Sequence, residues 1–255
     1  MPGDHMHIVT KGIVLRETSF KEADKMLTVL TEDAGRVSVL ARGVRRKHSR
    51  LSASSQLLVY SDMTLFSYKD HFTLDAANSI EQFWNIKSDL MLLALGSYFA
   101  ETVSLIANED APSSAVLSLL LNSLYALDTL KKDPALVKAA FELRLLLLAG
   151  FAPFLDHCAV CGAQWPQEPR LHLSEGILHC AGCKGALSAG ISMPLCEGSL
   201  SAMRYVLGCD PKRLFSFSLT EDALKRMGDA TEAFVLTQLE SSFPTLDYYK
   251  RLLSV

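Results

Sequence analysis

The sequence lacks several features that would place it in a large class of proteins. No apolar run reaches the length of about 20 residues that a membrane-spanning helix needs, and the N-terminus carries no apolar signal segment. There is no phosphate-binding glycine loop, no dinucleotide fingerprint, no GxSxG and no His-Glu-x-x-His. We therefore expect a cytoplasmic protein that is not an enzyme.

The chain as a whole has no large excess of charge of one sign, although positive charge is concentrated in one segment. The formal net charge is -3, from 25 Lys and Arg against 28 Asp and Glu, which excludes a uniformly basic coat. Residues 36–50 nevertheless contain six basic side chains and no acid. Apolar and polar residues alternate until Gly43, as in a strand with one buried face. We predict a strand that leads into a flexible basic loop, where a phosphate backbone can lie; a solvated charge run is the alternative.

The first 80 residues have the pattern of a small β-barrel. Apolar alternation predicts strands near residues 7–15, 25–31, 36–42, 56–66 and 72–77, with a polar connection over residues 17–24 and a turn over residues 67–70. About five short strands favour an OB-fold barrel, and an SH3-like barrel or a half-sandwich fits nearly as well. Four aromatic side chains are available either for base stacking or for packing: Tyr60, Phe66, Tyr68 and Phe72.

The period becomes helical from Ser79. The pattern predicts helices over residues 79–107 and 113–130, and a third that begins after Asp133 and ends before Gly150. Further helices are predicted at residues 199–207, 223–241 and 246–253, with a capping box at residues 218–221. The first three show no paired carboxylates or ligand spacing, so we expect them to form an antiparallel bundle that the later helices complete.

Cysteine is scarce but regularly spaced. Four of the six cysteines form a C-x2-C-x18-C-x2-C pattern, which is typical of a structural zinc site with a short hairpin between its two halves: Cys158, Cys161, Cys180 and Cys183. Four thiolates leave no open position for water, so the zinc is expected to be structural. His157 or His179 could replace one sulfur atom. We expect Cys196 and Cys209 to be ordinary buried thiols.

Together these patterns predict an α+β protein. An N-terminal OB-fold β-barrel (residues 1–80) is followed by an α-helical bundle domain (residues 81–156 and 188–255). The bundle is interrupted by a four-cysteine zinc ribbon (residues 157–187). Thiols in metal-ligand spacing fit a reducing compartment better than a disulfide framework does.

The sequence from residue 17 to 50 resembles the bacterial recombination mediator family RecO. The resemblance is carried by Glu17-Thr18-Ser19, the run from Val29 to Val37, the run from Ala41 to Arg46, and Ser49. The order of a helical domain interrupted by two CxxC pairs is similar as well, so the likeness spans nearly the whole chain. One departure is the stretch from Gln56 to Tyr60, where family members often have an apolar–Pro–Phe step.

The resemblance implies a role in DNA repair by homologous recombination. RecO-like proteins bind single- and double-stranded DNA and anneal complementary strands. They act with RecR, and in some bacteria with RecF, to help RecA load onto strands covered by single-strand-binding protein, whose C-terminal tail they contact. We therefore expect a nucleoid-associated protein of the cytoplasm.

Carried onto this chain, the resemblance gives a set of DNA-contact residues: Arg42, Arg45, Arg46, Lys47 and Arg50, with Lys21 and Lys25 as weaker members. Two other functions remain open. One is a zinc-containing interaction scaffold that touches no DNA, and salt-sensitive binding to a bare oligonucleotide would separate it from a DNA-binding protein. The other is an RNA-binding protein, which a comparison of RNA and DNA of equal length would reveal.

Overall fold

The structure is a computed structural model, and it describes residues 6–69, 71–109 and 111–254. Residues 1–5, where the predicted barrel domain begins, and Asp70 in the predicted turn lie outside the described residues. The chain forms two compact units. The first contains the residues up to Asp128 and those from Phe243 onward, and the second runs from Thr129 to Ser242.

The first unit is built on a closed barrel of five strands. Their bounds are β1 (Met6–Phe20), β2 (Asp24–Thr31), β3 (Arg36–Ala41), β4 (Tyr60–Tyr68) and β5 (His71–Glu81). The strand order is β1-β2-β3-β5-β4, and only the β3–β5 pairing is parallel. This order and closure are those of an OB fold, so the predicted fold is confirmed.

The barrel interior is filled by the alternating residues that the sequence pattern predicted. Val37, Val39 and Ala41 of β3 are at most 4% exposed and point inward, together with Val14, Val29 and other aliphatic side chains. Each valine of this set contributes about 1.5–3 kcal/mol when it is fully buried. The residues between them, including Ser38, are on the outer face of the barrel.

Several strand boundaries differ from the sequence prediction. The polar connection predicted over residues 17–24 is wrong, because β1 continues to Phe20 and pairs with β2 from Thr18↔Met26 to Phe20↔Asp24. A register shift between Val14 and Arg16 lets the long strand bend around the barrel. β5 likewise continues to Glu81, so the helical pattern begins later than predicted.

The predicted fourth strand also starts later, and the segment before it folds into successive turns. The amide of Arg46 donates to the carbonyl of Gly43 (3.1 Å), and the amide of Ser49 donates to the carbonyl of Arg46 (3.1 Å). Val44 and Leu58 are buried at the two ends of the segment. The segment predicted as a flexible basic loop is therefore folded, because its apolar residues are buried and its backbone amides form local hydrogen bonds.

Four helices complete the first unit: α1 (Trp84–Ser88), α2 (Leu90–Ile106), α3 (Ser114–Asp128) and α7 (Pro244–Leu253). Asp89 caps α2 by accepting hydrogen bonds from the amides of Met91 and Leu92. The helix α7 packs on α2, where the ring of Phe243 meets Tyr98 edge-on at 5.6 Å. No helix in the described part of the chain is long and apolar enough to cross a bilayer.

The second unit combines three helices with a small sheet. The helices are α4 (Pro134–Leu148), α5 (Glu197–Gly208) and α6 (Glu221–Gln238), and both α5 and α6 pack on α4. The strands β6 (Pro169–His172), β7 (Ile177–Cys180) and β8 (Ser192–Pro194) form a sheet in the order β7-β6-β8. The predicted short hairpin is thus present with an added third strand.

Helix α4 has buried residues on all sides, including charged ones that the sequence pattern did not reveal. Lys138 is held by Glu142 and Glu232, each at 2.8 Å. Although burial lowers the pKa of Lys138, the two carboxylates raise it above its ordinary value. The ends of α4 follow prediction, with Asp133 as its cap and Gly150 in a positive-φ turn. The capping box predicted for α6 is wrong, since Thr220 caps that helix.

Gly35, in the β2–β3 turn, provides a test of the packing around the barrel. Its φ is +66°, and an added Cβ would lie 2.3 Å from the carbonyl oxygen of Ala111. Gly43 has a similar φ of +63° but more space, with its nearest neighbour at 3.6 Å. We expect Gly35→Ala to reduce the free energy of unfolding by about 2–5 kcal/mol, and Gly43→Ala by about 1–2 kcal/mol. Urea unfolding followed by circular dichroism measures both, and equal losses would contradict this packing.

Candidate nucleic-acid interface and metal centre

The four cysteines of the CxxC pairs lie together in the second unit. The sulfur atoms of Cys158, Cys161, Cys180 and Cys183 are all within 4.8 Å of one another. A zinc–sulfur bond of about 2.3 Å in a tetrahedron places sulfur atoms a little under 4 Å apart. The separation of 3.6 Å between the sulfur atoms of Cys161 and Cys180 fits that geometry. The donor set and its spacing therefore suit a four-coordinate metal ion.

Local backbone hydrogen bonds shape the first CxxC turn. The amide of Cys158 donates to the carbonyl of Ala163 (2.8 Å), and the amide of Gly162 donates to the carbonyl of Cys158 (2.9 Å). Gly162 has a φ of +75°, which a glycine adopts without strain. The amide of Ala159 donates to the carbonyl of Leu178 in β7 (2.8 Å), so the turn is fixed to the strand that ends in Cys180.

The thiols differ in their acidity. Although burial raises the pKa of Cys158, backbone hydrogen bonds from Cys161 and Cys180 lower it to about 6. Burial and hydrogen bonding with the sulfur atom of Cys161 raise the pKa of Cys180 to about 12. One thiolate therefore forms readily, and further thiolates beside it need a cation to offset their mutual repulsion.

Neither nearby histidine is placed to replace a sulfur ligand. Both ring nitrogens of the buried His179 are engaged, Nδ1 with the carbonyl of Cys180 (2.8 Å) and Nε2 with the hydroxyl of Ser192 (2.9 Å). The ring of His157 packs edge-on against Phe154, at 4.7 Å between centroids. Among the described residues, the group suited to a metal ion consists of the four cysteines alone.

Arg204 of α5 holds the first CxxC turn in place, and no local sequence pattern indicated it. Its Nε donates to the carbonyl of Leu155 (2.8 Å), and its Nη2 donates to the carbonyls of Asp156 (2.8 Å) and Gln164 (2.6 Å). Its guanidinium also stacks on the ring of Trp165 at 4.5 Å. One side chain thus joins the two ends of the turn to a helix.

The remaining two cysteines are partly exposed, so the prediction of buried thiols is wrong. Cys196 caps α5, and its sulfur atom accepts from the amide of Ser199 at 3.5 Å. Cys209 follows the same helix, and its sulfur atom lies 3.1 Å from Nη2 of Arg144. Both sulfur atoms contact other protein groups, and both cysteines lie outside the four-cysteine group.

In the first unit, the basic segment (residues 42–50) is fastened to the turn between β1 and β2. The amide of Gly43 donates to the carboxylate of Asp24 (2.7 Å), and the amide of Arg45 donates to the carbonyl of Ala23 (2.9 Å). Nη1 of Arg45 also reaches the carbonyl of Lys21 at 3.4 Å. The structure therefore brings Lys21 next to the basic segment.

The predicted DNA-contact residues fall into two groups. Six are exposed and form no ion pair with any described carboxylate: Lys21, Arg42, Arg45, Arg46, Lys47 and Arg50. Lys25 differs, since it is half-buried and its Nζ lies 2.6 Å from the carboxylate of Glu17. The first group leaves a concentrated positive charge at the rim of the barrel.

A groove of about 770 Å³ crosses the outer face of the barrel beside this segment. That volume lies within the range of ligand-sized clefts, about 300–1,000 Å³. Arg42 lies both in the basic segment and on the groove wall. The lining of the groove combines polar and charged residues with aromatic side chains, which include Phe20, Phe66, Tyr68 and Phe72.

Three of the four aromatic residues proposed from the sequence line this groove. The exception is Tyr60, whose hydroxyl donates to the carboxylate of Glu32 at 2.7 Å. Phe20 takes the fourth place, and the sequence did not indicate it because β1 was predicted to end at Leu15. The ammonium group of Lys21 lies over the Phe20 ring at 5.3 Å, and that of Lys69 over the Tyr68 ring at 5.2 Å.

The parallel closure of the barrel places the first unit among OB-fold proteins, which commonly bind oligonucleotides on the face of strands 2 and 3 and through the loops that join strands 1 to 2 and 4 to 5. The groove lies beside both of these loops, at Phe20 and at Tyr68 and His71. The paired CxxC turns give the second unit a ribbon-like centre within a helical framework. The class is therefore an OB-fold protein with an appended helical, cysteine-rich unit.

Comparison with known proteins identifies the family. Residues 6–83 match the model of the recombination protein O N terminal region, and residues 87–247 match that of its C terminal region. The chain is 33% identical over 250 residues to the DNA repair protein RecO of Acetivibrio thermocellus, covering 96% of this chain and 97% of that protein. It is 32% identical over 243 residues to the RecO of Caldicellulosiruptor bescii, covering 95% and 98%. The chain belongs to the RecO family of DNA repair proteins.

The cysteine cluster predicts a measurable metal dependence. We expect Cys158→Ala to reduce the bound metal per chain and to lower the midpoint of thermal unfolding, because metal binding in such turns contributes directly to folding. Mass-spectrometric metal analysis and differential scanning fluorimetry measure these quantities. Cys196→Ser is the matched control, since it removes a thiol outside the cluster and keeps a helix-capping side chain. Unchanged metal content and midpoint in Cys158→Ala would contradict the four-thiolate assignment.

Proposed function

We propose that this protein binds single- and double-stranded DNA and anneals complementary strands. The observation that carries the proposal is the set of exposed cations at the barrel rim, adjoining a groove lined with aromatic rings. Cations at this position can neutralise phosphates, and aromatic rings can stack on unpaired bases. Membership of the RecO family of DNA repair proteins supports the same function.

Annealing follows from charge neutralisation without any covalent chemistry. Two DNA strands repel each other through their phosphates, and counterions must be released when a protein cation takes their place. When Arg45, Arg46 and Lys47 hold one strand close to the rim, they lower the repulsion that a second strand meets. The local concentration of the two strands rises as well. No bond is broken, so the role is that of a mediator and no catalytic residue is required.

The metal ion is proposed to be Zn²⁺ in a structural role. Four thiolates are soft ligands that suit Zn²⁺ in tetrahedral coordination, and they fill every position around the ion. When bound, the ion supplies the charge that lets the four thiolates lie together. The chain's own contribution is to hold the first turn against β7 through Ala159 and against α5 through Arg204.

The family also suggests the setting in which the protein acts. We propose that it acts with RecR, and in some bacteria with RecF, to load RecA onto strands covered by single-strand-binding protein. The C-terminal tail of that binding protein is a further proposed partner. Its site of action would be the nucleoid in the cytoplasm. In this scheme residues 1–80 are the DNA-binding domain, residues 81–156 and 188–255 the helical domain, and residues 157–187 the zinc segment.

Strand annealing tests this function most directly. Two complementary oligonucleotides, one carrying a fluorophore and the other a quencher, are mixed with and without the protein, first bare and then covered by single-strand-binding protein. Faster quenching in both settings supports a recombination mediator. Binding to RNA but not to DNA of equal length would favour an RNA-binding protein, and binding to neither would favour a protein-interaction scaffold.

The basic segment makes a specific prediction. The variant with Arg45→Ala, Arg46→Ala and Lys47→Ala should bind DNA more weakly regardless of sequence. The slope of log affinity against log salt should become shallower by about 0.7–0.9 for each phosphate that the protein no longer neutralises. Fluorescence anisotropy with a labelled oligonucleotide over a range of salt concentrations measures both effects.

A control variant with the same change in net charge separates the basic segment from a general charge effect. Lys131→Ala, Lys132→Ala and Lys212→Ala removes three exposed cations of the second unit. We expect this variant to bind DNA as the wild type does. If both triple variants bind with equally reduced affinity, or if the salt slope of the first is unchanged, the basic segment does not bind the DNA backbone.

A further inference from the structure

One cation of the groove, Arg36, lies outside the set predicted to contact DNA. It is the first residue of β3, and its side chain is 30% exposed on the groove wall that also carries Arg42. Nη2 of Arg36 donates to the carboxylate of Glu109 at 2.7 Å. Unlike Arg42, Arg36 therefore already holds an anionic group at the mouth of the groove.

Glu109 is the one acid among the described residues that line the groove. Its backbone is fixed by a bridge to Gly35, and the neighbouring carbonyl of Asn108 accepts from the amide of Arg36 at 3.0 Å. Its side chain is 69% exposed. The chain thus anchors this residue by its main chain and leaves its charged end in solvent, beside rings suited to stack on bases.

The pairing of Arg36 with Glu109 is incomplete. The Nε of Arg36 is buried and has no hydrogen-bond partner among the described residues. A guanidinium binds a carboxylate or phosphate best through two parallel N–H bonds, and here Nη2 alone donates to the carboxylate. A phosphodiester has two free oxygens and could accept from both Nε and Nη2. An exposed ion pair contributes little stability, so its replacement costs little.

We propose that Arg36 is a phosphate-binding residue of the groove and that Glu109 occupies its guanidinium until a phosphodiester of single-stranded DNA replaces it. Glu109 then acts as a competitor built into the site, which favours polyanions over weakly held single anions. This inference rests on the proposed DNA binding and adds to it a contact and its regulation.

The test measures binding of a labelled oligothymidine by fluorescence anisotropy over a range of salt concentrations. It uses the full-length protein and the variants Glu109→Gln, Arg36→Met and the two combined. Glu109→Gln should bind about two- to fivefold more tightly, because the competitor loses its charge. Arg36→Met should bind more weakly, with a salt slope shallower by about 0.7. In the combined variant Glu109→Gln should add no more than the small effect of losing one negative charge, because its larger effect acts through Arg36.

Asp75→Asn is the matched control. Asp75 is an exposed acid on β5 that does not line the groove, so this variant makes the same change in net charge. Its affinity for the oligothymidine should differ from that of the wild type only by the small amount that the loss of one negative charge causes. Equal gains for Asp75→Asn and Glu109→Gln, or a gain from Glu109→Gln that persists without Arg36, would overturn the inference while leaving DNA binding intact. A wild type that binds no oligothymidine would overturn the proposed function itself, and this inference with it.

Thermal unfolding of each variant tests whether a change in affinity arises from a loss of stability. Glu109→Gln keeps the backbone bridge to Gly35, so its unfolding midpoint should match that of the wild type. Arg36→Lys serves as a second variant, since it keeps the charge but removes the paired N–H donors. We expect it to recover the salt slope but only part of the affinity. Full recovery of the affinity would show that charge alone acts at this position. It would overturn the inference that paired N–H donors of Arg36 bind the phosphate.

Discussion

The architecture of the first unit depends on a short parallel contact between β3 and β5. Val39 and Leu40 pair with Phe72 and Thr73, and these two residue pairs close the barrel. Because the contact is brief, the outer side chains of β3 and β5 border a groove instead of a continuous sheet. The same closure brings Arg36 of β3 to one surface with the rings of Phe66 and Tyr68 from β4 and of Phe72 from β5. The features that indicate a nucleic-acid site therefore follow from the way in which the barrel is closed.

A different constraint organises the second unit. Its strands are only three or four residues long, and such short strands cannot bury enough apolar surface to be stable alone. The guanidinium of Arg204 ties the first CxxC turn to α5, and the four clustered sulfur atoms suit a metal ion that would join the two CxxC turns. Helix α4 provides the continuous apolar packing that this small sheet does not have.

The sequence allowed a good part of this to be predicted, because the determining patterns are local. Alternation at Val37, Val39 and Ala41 indicated an inward strand face, and the CxxC spacing indicated the sulfur cluster. The C-terminal end of β1 was not predicted, because its last residues, from Glu17 to Phe20, are polar or exposed on the outside of the barrel. Contacts between distant positions left no local pattern, as with Arg36 and Glu109, and with Arg204 and Gln164.

The position of α7 has a consequence for biosynthesis. This helix packs on α2 in the first unit, yet the whole second unit lies between them in the chain. A ribosome adds about 5–20 residues per second, so α2 emerges on the order of ten seconds before the helix that covers it. During that interval the ring of Tyr98 lacks its edge-on contact with Phe243. A nascent chain therefore exposes part of the apolar surface of α2 until the C-terminal helix has been made.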